Sequence, residues 1–377
     1  MAAEAYLYLP DECWECVFKF LNNHEDDKDN SYFKYLSLVS KQFLSITNRL
    51  RFFVVIGSKT LPFIHLLFQR FPNITSLALK RGFHRNSNAF RGDRNAFLHQ
   101  ISRLPLKLTC LDLTSQVFIP ADGLRLLIAD CFPSLEEVDI GRIAIFHDQN
   151  RFIDGIKTLS LALSKLRKIN LSTHSYMTDE CLFHLFNNCK FLEEVIIFDC
   201  FNITNVGIVY ALCERPKFKS LHFTNRTDNC SNLLDILRNC PSLILKRCCK
   251  IRHLNLAHCS KVKLLGMNFE APKLEVLNLS HTNVNNAELL VISKSCPRLL
   301  QLTLENCIYV SNTGVKHVAE NCIQLREINL KHCQKVHPKV VDSLIFSRPT
   351  LRKIIVPPRY RFNDGNRELL SHGCLLC

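Results

Sequence analysis

The residues of this 377-residue chain that could do chemistry are mainly its 19 cysteines and 15 histidines. Thiolates and imidazoles bind zinc, and a thiolate can also act as a nucleophile. Two pairs, Cys13-x-x-Cys16 and Cys374-x-x-Cys377, have the spacing of half a zinc site, but they stand at opposite ends of the sequence. The sequence also lacks a glycine-rich phosphate loop, an H-E-x-x-H motif and a G-x-S-x-G motif. We therefore expect neither a metal site nor a catalytic site.

Several of the cysteines recur at fixed places. One set ends an apolar helical run, and a second set follows it by 11 residues. The two sets are Cys189, Cys296 and Cys322, and Cys200, Cys307 and Cys333. In a reducing compartment these cysteines are expected to be thiols. Because a repeat already explains their spacing, they are predicted to be small buried side chains at tight corners and not reactive groups.

The elements that must position these cysteines are copies of the pattern L-x-x-L-x-L, in which an aliphatic residue or Phe can replace Leu. Eleven copies begin at Ile74, Leu108, Leu135, Leu166, Leu192, Phe218, Ile251, Leu274, Leu299, Leu325 and Leu351. Their period is about 26 residues, as in leucine-rich repeats. The alternating part of each copy predicts a short strand with inward apolar side chains, and a helix returns the chain to the next strand. Neighbouring copies must stack to bury these faces.

The cysteine positions make this repeat resemble the cysteine-containing subclass of leucine-rich repeats, over roughly residues 70–357. The predicted fold class is α/β: a right-handed, horseshoe-shaped solenoid with parallel strands inside and helices outside. We assign residues 56–357 to about 11 repeats and residues 358–377 to a C-terminal tail. Residues 80–100 and 240–250 depart from the repeat, so the solenoid is expected to be irregular there.

Residues 1–55 do not follow the repeat and predict a small all-α module. The run after Leu9-Pro10-Asp11 predicts a helix. Its expected buried residues are Trp14, Val17, Phe18 and Leu21. A second helix is predicted around Leu38-Val39-Ser40-Lys41, after an insertion-like polar tract at residues 22–32. These features resemble an F-box, and an F-box before cysteine-containing repeats is the order found in F-box/leucine-rich repeat proteins.

The resemblance implies that the chain is the substrate-recognition subunit of a Skp–cullin–F-box ubiquitin ligase and is not itself an enzyme. In that family the F-box binds the Skp adaptor, and the repeats hold the substrate for a separate ubiquitin-conjugating enzyme. The residues that it places at the adaptor are Leu9, Pro10, Val17, Leu21, Leu36 and Val39. The alternative is that they form the core of the module, because so small a module shares its apolar residues between core and interface.

The substrate is expected on the concave side of the sheet, where the residues between the inward Leu positions face outward. The candidate residues are Glu194, Ile196, Phe198, His222, His253 and Asn255. Ile196 and Phe198 are apolar residues at exposed places, and a Phe on a strand is a candidate hot spot for a partner. The alternative is that a loop or a neighbouring side chain covers Phe198.

The formal net charge of +14 lies outside the N-terminal module, because residues 1–60 carry seven Lys/Arg and eight Asp/Glu. Two segments, residues 70–107 and 236–269, are strongly basic. The similar plant hormone receptors bind an inositol polyphosphate within their repeats, so a bound polyanion is an alternative to a chain without a cofactor. We do not expect nucleic acid as a partner, because no basic and aromatic platform recurs with the repeat.

The N-terminus lacks a basic region followed by an apolar run, and no window has the roughly 18 unbroken apolar residues of a membrane helix. We therefore expect a location in the cytoplasm, the nucleus or both, and no membrane span. The last residues, Cys374-Leu375-Leu376-Cys377, match a prenylation motif in outline, but Cys is not a usual final residue. A further alternative function is a non-ligase scaffold whose N-terminal helices only cap the solenoid.

Overall fold

A computed structural model of the chain describes thirteen ranges. These are residues 9–22, 31–57, 60–79, 101, 103–104, 106–114, 132–141, 149–200, 202–203, 218–224, 251–258, 271–360 and 374–377. The chain divides into two compact units, Met1–Val117 and Phe118–Cys377. The irregular segments predicted at residues 80–100 and 240–250 lie outside the described residues.

Three helices open the first unit. They are α1 (Asp11–Asn22), α2 (Ser31–Leu36) and α3 (Lys41–Arg49). The start of α3 is fixed by Ser40, whose side chain accepts a hydrogen bond from the Phe43 backbone N–H at 3.1 Å. Their shared core is Phe18, Phe33, Ile46 and Leu50, with Trp14, Leu36 and Phe43 packed against it.

The structure corrects the buried face predicted for α1. Trp14 and Phe18 do face the core, where their rings lie 4.7 and 4.9 Å from the ring of Phe43. Val17 and Leu21, in contrast, are 43% and 41% exposed. Val17 lies about 100° around α1 from Phe18, outside the packed side, and Leu21 lies in the last turn of α1, which ends at Asn22.

The first unit continues into the repeat. It contains β1 (Phe53–Ile56), a short 3-10 turn (Leu61–Phe63), α4 (Ile64–Arg70), β2 (Ser76–Leu79) and β3 (Cys110–Asp112). These strands are parallel and stand in chain order. Their central residues Val54, Leu77 and Leu111 lie side by side and are buried, and Ile64 and Phe68 of α4 are buried as well.

The second unit contains ten described strands in one parallel sheet, again in chain order. They are β4 (Glu137–Asp139), β5 (Lys168–Asn170), β6 (Glu194–Phe198), β7 (Ser220–Thr224), β8 (His253–Asn255), β9 (Val276–Asn278), β10 (Gln301–Thr303), β11 (Glu327–Asn329), β12 (Lys353–Ile355) and β13 (Leu375–Leu376). The chain is thus a leucine-rich repeat solenoid, as the repeat predicted.

The buried column of this sheet is the predicted one. Leu254, Leu277, Leu302 and Ile328 are paired neighbours in the register of β8 to β11. The last three are at most 2% exposed, whereas Leu254 is half-buried. On either side of the column, alternate residues face away from the helices. We call this side of the sheet the open face.

Five described helices connect the strands of the second unit. They are α5 (Gln149–Ala162), α6 (Asp179–Asn188), α7 (Asn286–Ser295), α8 (Asn312–Asn321) and α9 (Lys339–Ser347). The clearest start belongs to α7, where Asn285 and Glu288 form a reciprocal capping box. Among the described helices, none has the length and apolar character needed to cross a membrane.

The recurring cysteines are buried, as their spacing predicted. The second set hydrogen-bonds to the preceding repeat: the Sγ atoms of Cys200, Cys307 and Cys333 lie 3.2, 3.0 and 2.9 Å from the carbonyl oxygens of the repeat before them. Burial raises the pKa of Cys200 and Cys333 to about 12. A thiol so seldom ionised is a poor nucleophile, so these cysteines have a structural role.

The end of the predicted C-terminal tail adds a strand to the sheet. Leu375 and Leu376 form β13 beside β12, and the Val356 N–H donates to the Cys377 carbonyl oxygen at 3.0 Å. Cys374 is 4% exposed, and burial raises the pKa of its thiol. A prenyl transfer to Cys374 would therefore require this strand to separate from the sheet.

His174 is a buried side chain whose protonation affects stability. It is 4% exposed, and its Nε2 lies 2.7 Å from the carbonyl oxygen of Ile140. Burial lowers the pKa of His174 below its ordinary value of 6.5, and the bond to Ile140 offsets part of this. In the folded chain the imidazole therefore stays neutral at a pH where it is protonated in the unfolded chain.

We predict that His174 makes the fold less stable in mild acid. Above pH 6.5 both states are neutral, and below it the unfolded state takes up the proton first, so stability falls as the pH decreases towards the lower folded pKa. Thermal unfolding at pH 7.5 and pH 5.5 should show a larger loss for the natural chain than for His174→Gln, which keeps an N–H donor. Equal losses in both chains would contradict the assignment.

Candidate functional site

The first candidate surface is the exposed side of α1. Cys13, Cys16, Val17, Phe20 and Leu21 recur at the three- and four-residue spacing of one helix side, and we call them the N-terminal apolar face. All five are exposed, and Phe20 reaches 74%. Apolar residues gathered on one exposed helix side are typical of a protein interface.

The other residues predicted at the adaptor divide between surface and core. Leu9 and Val39 are 43% and 66% exposed, and Pro10 is exposed as well. Leu36 packs against the core of the three helices, so the alternative reading of a core residue applies to it. The structure thus leaves five of the six predicted residues at the surface, in a single small module.

Sequence reasoning missed several exposed apolar residues of this module, and three of them are the most exposed. Phe20, Tyr35 and Leu38 are 74%, 68% and 79% exposed. The signal for Phe20 was available, because it lies three residues after Val17 and therefore on the same side of α1. Tyr35 gave no such signal, because α2 has only six residues and its helical period cannot be read from the sequence. Leu38 lies in the turn between α2 and α3, so the second helix predicted around Leu38-Val39-Ser40-Lys41 begins only at Lys41, after the N-cap Ser40.

A charged contact fixes α1 against α3. The Arg49 guanidinium lies 2.7 Å from Asp11 and 3.1 Å from Glu15, and Gln42 donates to Asp11 at 2.9 Å. The Arg49 hydrogen bond holds the pKa of Asp11 below its ordinary value. Since Asp11 and Glu15 lie one turn apart, Arg49 of α3 contacts two successive turns of α1.

The second candidate surface is the open face of β5 to β8. The register places Glu194, Ser220 and His253 in one row and Ile196, His222 and Asn255 in the next. Phe198 follows on β6, opposite Thr224. The six residues predicted for substrate binding therefore occupy three adjacent strands, and each of them is half-buried.

His222 is the centre of this surface. Its Nε2 lies 2.9 Å from Ser220 Oγ and 3.8 Å from Glu194 Oε1. Lys168 Nζ pairs with the same Glu194 oxygen at 3.1 Å. The ring of Phe198 meets the imidazole edge-on, with the ring centroids 6.4 Å apart. Charged, polar and aromatic groups thus converge within one patch.

The surroundings of His222 lower its pKa and so favour the neutral imidazole. Burial lowers its pKa, the Glu194 carboxylate acts in the opposite direction, and His253 and Lys168 lower it further. A neutral imidazole can both donate and accept a hydrogen bond, so it suits a polar partner group of either kind.

This arrangement does not have the geometry of a catalytic triad. In a triad the acid holds one imidazole nitrogen and the serine meets the other. Here Ser220 and Glu194 both approach Nε2, and Ser220 is 3% exposed. Within the ranges that the structure describes, no three Cys, His, Asp or Glu side chains are grouped as metal ligands would be. The patch is suited to binding.

Two members of the predicted set differ in what they can offer a partner. Asn255 Oδ1 accepts a hydrogen bond from the Ala257 backbone N–H at 3.0 Å, so it holds the turn after β8. Asn278 makes the equivalent bond to Ser280 in the following repeat. Ile196 keeps its half-exposed apolar side chain beside His222.

Lys168 and Ser220 belong to the patch and were not among the six predicted residues. Lys168 pairs with Glu194, and Ser220 with His222. The repeat itself carried the signal, because both residues stand one place before the buried centre of their strand, as Glu194 does. The chain thus combines leucine-rich repeats with a small helical module before them, and each carries one candidate surface.

Comparison with known proteins agrees with this class. No protein-family model matches the chain. It is similar to putative F-box/LRR-repeat protein 23 of Arabidopsis thaliana (26% identity over 39% of the chain and 33% of that protein). It is also similar to F-box/LRR-repeat protein 4 of Bos taurus (26% identity over 33% of the chain and 21% of that protein). The chain thus spans a third or less of the length of these relatives.

Solved structures also resemble the chain. The crystal structure of the Rad7 and Elc1 complex in yeast aligns with a TM-score of 0.45 and 15% identity, over 98% of both chains. The leucine-rich repeat-containing protein LegL7 from Legionella pneumophila aligns with a TM-score of 0.47 and 14% identity, over 85% of this chain and 97% of that one.

We predict that Glu194→Gln lowers the pKa of His222 further. The carboxylate is the group that favours the protonated imidazole, and glutamine keeps the shape without the charge. A titration of the histidine ring protons by NMR measures the change. Glu327→Gln, three repeats further from this patch on β11, is the matched control and should leave the His222 titration unchanged. An unaltered pKa in Glu194→Gln would show that the two side chains do not interact.

Proposed function

We propose that the chain is the substrate-recognition subunit of a Skp–cullin–F-box ubiquitin ligase. The helical module would bind the Skp adaptor and, through it, the cullin, and the open face of the repeats would bind the protein to be ubiquitinated. The observation that carries the proposal is the N-terminal apolar face, an exposed apolar helix side in a module with the F-box pattern directly before the repeats.

In this role the chain does no chemistry and needs no cofactor, and it acts in the cytoplasm, the nucleus or both. Its contribution is geometric: one surface for the ligase and another for the target. The names of the similar Arabidopsis and cattle proteins, which combine F-box and LRR, support this division.

A non-ligase scaffold is the first competing function. In that case the three helices would only cap the first repeat, as terminal repeats require. Capping alone explains the core of Phe18, Phe33 and Ile46. It does not explain an outer side with Val17 and Phe20, because a cap normally presents a polar outer surface.

A receptor for a small polyanion, such as an inositol polyphosphate, is the second competing function. Most of the basic residues that suggested it lie outside the described ranges. Arg252 is described, and its guanidinium pairs with Glu275 at 3.3 Å. Native mass spectrometry of the purified chain distinguishes this alternative, because a tightly held polyanion would add its mass to the protein.

We predict that Val17→Asp weakens binding of the purified chain to a Skp adaptor by more than about tenfold, since it places an unpaired carboxylate in an apolar contact. Phe346→Asp is the matched control: Phe346 is 68% exposed on α9, and its substitution should not affect adaptor binding. Binding is measured by titration calorimetry under reducing conditions. If the natural chain does not bind any Skp adaptor, the scaffold function is the better explanation.

We predict that Phe198→Ala abolishes the capture of the proteins that the natural chain binds for degradation. Phe198 is the aromatic residue of the open-face patch, and truncating such an anchor typically costs about 2 kcal/mol or more. Proximity labelling with a proteasome inhibitor, read by quantitative mass spectrometry, compares the two chains. Phe191→Ala, in the loop before β6, removes a ring that is 60% exposed and serves as the control. Unchanged capture by Phe198→Ala would place the substrate elsewhere.

A further inference from the structure

We propose that Cys13 and Cys16 form an accessible dithiol, which a hydroperoxide closes into a disulfide, and that this oxidation abolishes adaptor binding. The dithiol and its oxidation follow from the structure of α1 alone. The effect on the adaptor rests on the proposed function, so the two parts need separate measurements.

The two thiols differ from the other cysteines in exposure. Twelve cysteines lie in the described ranges, and of these Cys13, Cys16 and Cys377 are exposed. The structural cysteines of the repeats are buried, and burial raises the pKa of Cys322, like that of Cys200 and Cys333, to about 12. Because the thiolate is the form that reacts, an oxidant is expected to reach the pair on α1 before these buried thiols.

The three-residue spacing of Cys13 and Cys16 on α1 brings their side chains close together, but not within the distance of a disulfide bond. Residues three apart on a helix have Cβ atoms about 5–6 Å apart. A disulfide needs about 3.5–4.5 Å between the same atoms. Cys13 and Cys16 can therefore meet if the first turn of α1 distorts, without movement of a second element.

The first turn of α1, which must distort, is held by backbone hydrogen bonds and by an ion pair to α3. The N–H groups of Cys13 and Trp14 donate to the carbonyl oxygen of Pro10 at 3.1 and 3.3 Å. Asp11, in the same turn, holds Arg49 of α3. Disulfide closure therefore competes with the hydrogen bonds that begin α1 and with the ion pair that orients it.

The chemistry balances with hydrogen peroxide as oxidant. One thiolate attacks a peroxide oxygen, the O–O bond breaks, and the departing hydroxide takes up a proton to leave as water. The resulting sulfenic acid is attacked by the second thiolate, the S–S bond forms, and a second hydroxide leaves as water. In total the two thiols lose two electrons and two protons, and the peroxide gains them to become two water molecules.

The consequence follows from the position of the pair. Cys13 and Cys16 belong to the N-terminal apolar face, beside Val17 and Phe20. A distorted first turn changes the shape of this face, and a bound adaptor covers the thiols. Oxidation and adaptor binding are therefore expected to exclude each other.

The experiment treats the purified full chain with hydrogen peroxide, before and after addition of the adaptor. Intact mass and peptide mapping locate any disulfide, and hydrogen exchange reports on the amides of residues 11–16. Calorimetry measures adaptor affinity for the oxidised chain and again after treatment with dithiothreitol. Cys13→Ser and Cys16→Ser each remove one thiol, and Cys377→Ser removes the exposed thiol outside the first unit.

We expect the natural chain and Cys377→Ser to lose two hydrogen atoms through a Cys13–Cys16 disulfide, with faster exchange in the first turn of α1. Adaptor affinity should fall by about tenfold or more and return on reduction, and neither single-serine variant should show this reversible loss. The bound adaptor should protect the pair from peroxide.

Three results would overturn the proposal. Peroxide could produce no Cys13–Cys16 disulfide in the natural chain, or the disulfide could form with no change in adaptor affinity. The third such result is that oxidation lowers the adaptor affinity of Cys13→Ser as much as that of the natural chain. If the reduced chain does not bind the adaptor at all, the proposed function fails and the effect on docking fails with it, whereas the mass and exchange data still decide whether the dithiol exists.

Discussion

The repeats of this chain depend on one constraint. A single repeat, which forms one coil of the solenoid, cannot bury the apolar side chains of its own strand, so the next coil must cover them. The column through Leu277, Leu302 and Ile328 is the result, with exposures of at most 2%. Backbone hydrogen bonds between parallel strands set the distance between coils at about 4.8 Å. Every side chain at a given place in the repeat therefore has a counterpart one strand away, and this fixed spacing brings Lys168, Glu194 and His222 within reach of one another.

The same constraint explains an unusual backbone feature. Residues two places after the last apolar position of several L-x-x-L-x-L copies adopt a positive φ, among them His258 (63°), His281 (58°) and Asn306 (55°). For residues other than glycine this conformation is uncommon, although Asn, Asp and His tolerate it best. In each case the N–H donates to a carbonyl oxygen of the next coil at 2.8 Å. These hydrogen bonds extend the ladder between coils beyond the strands and so offset the cost of the strained conformation. The rings of His258 and His281 also stack, with their centroids 4.3 Å apart.

The sequence predicted what depends on periodicity and missed what depends on which side of an element is covered. The strands, the buried column and the buried cysteines follow from spacing alone, because a parallel sheet repeats its neighbours. The exposure of Val17 and Leu21 does not follow from spacing, because an apolar helix side has the same sequence pattern whether it is buried in the module or exposed. Likewise, the register sets Asn255 beside His222, but its bond to Ala257 depends on a turn that the pattern does not specify.

In the first unit, charged contacts add to the apolar core in attaching α1 to the elements that follow it. Arg49 holds α1 through Asp11 and Glu15, and its own carbonyl oxygen accepts a hydrogen bond from Asn73, just before β2, at 2.9 Å. One residue thus joins the helix that carries the apolar side to the first coil of the repeat. The apolar side chains of Val17 and Phe20 take no part in this attachment and stay exposed. Because the Arg49 and Asp11 side chains are 39% and 34% exposed, this ion pair adds orientation to an attachment that the packing of Trp14 and Phe18 provides.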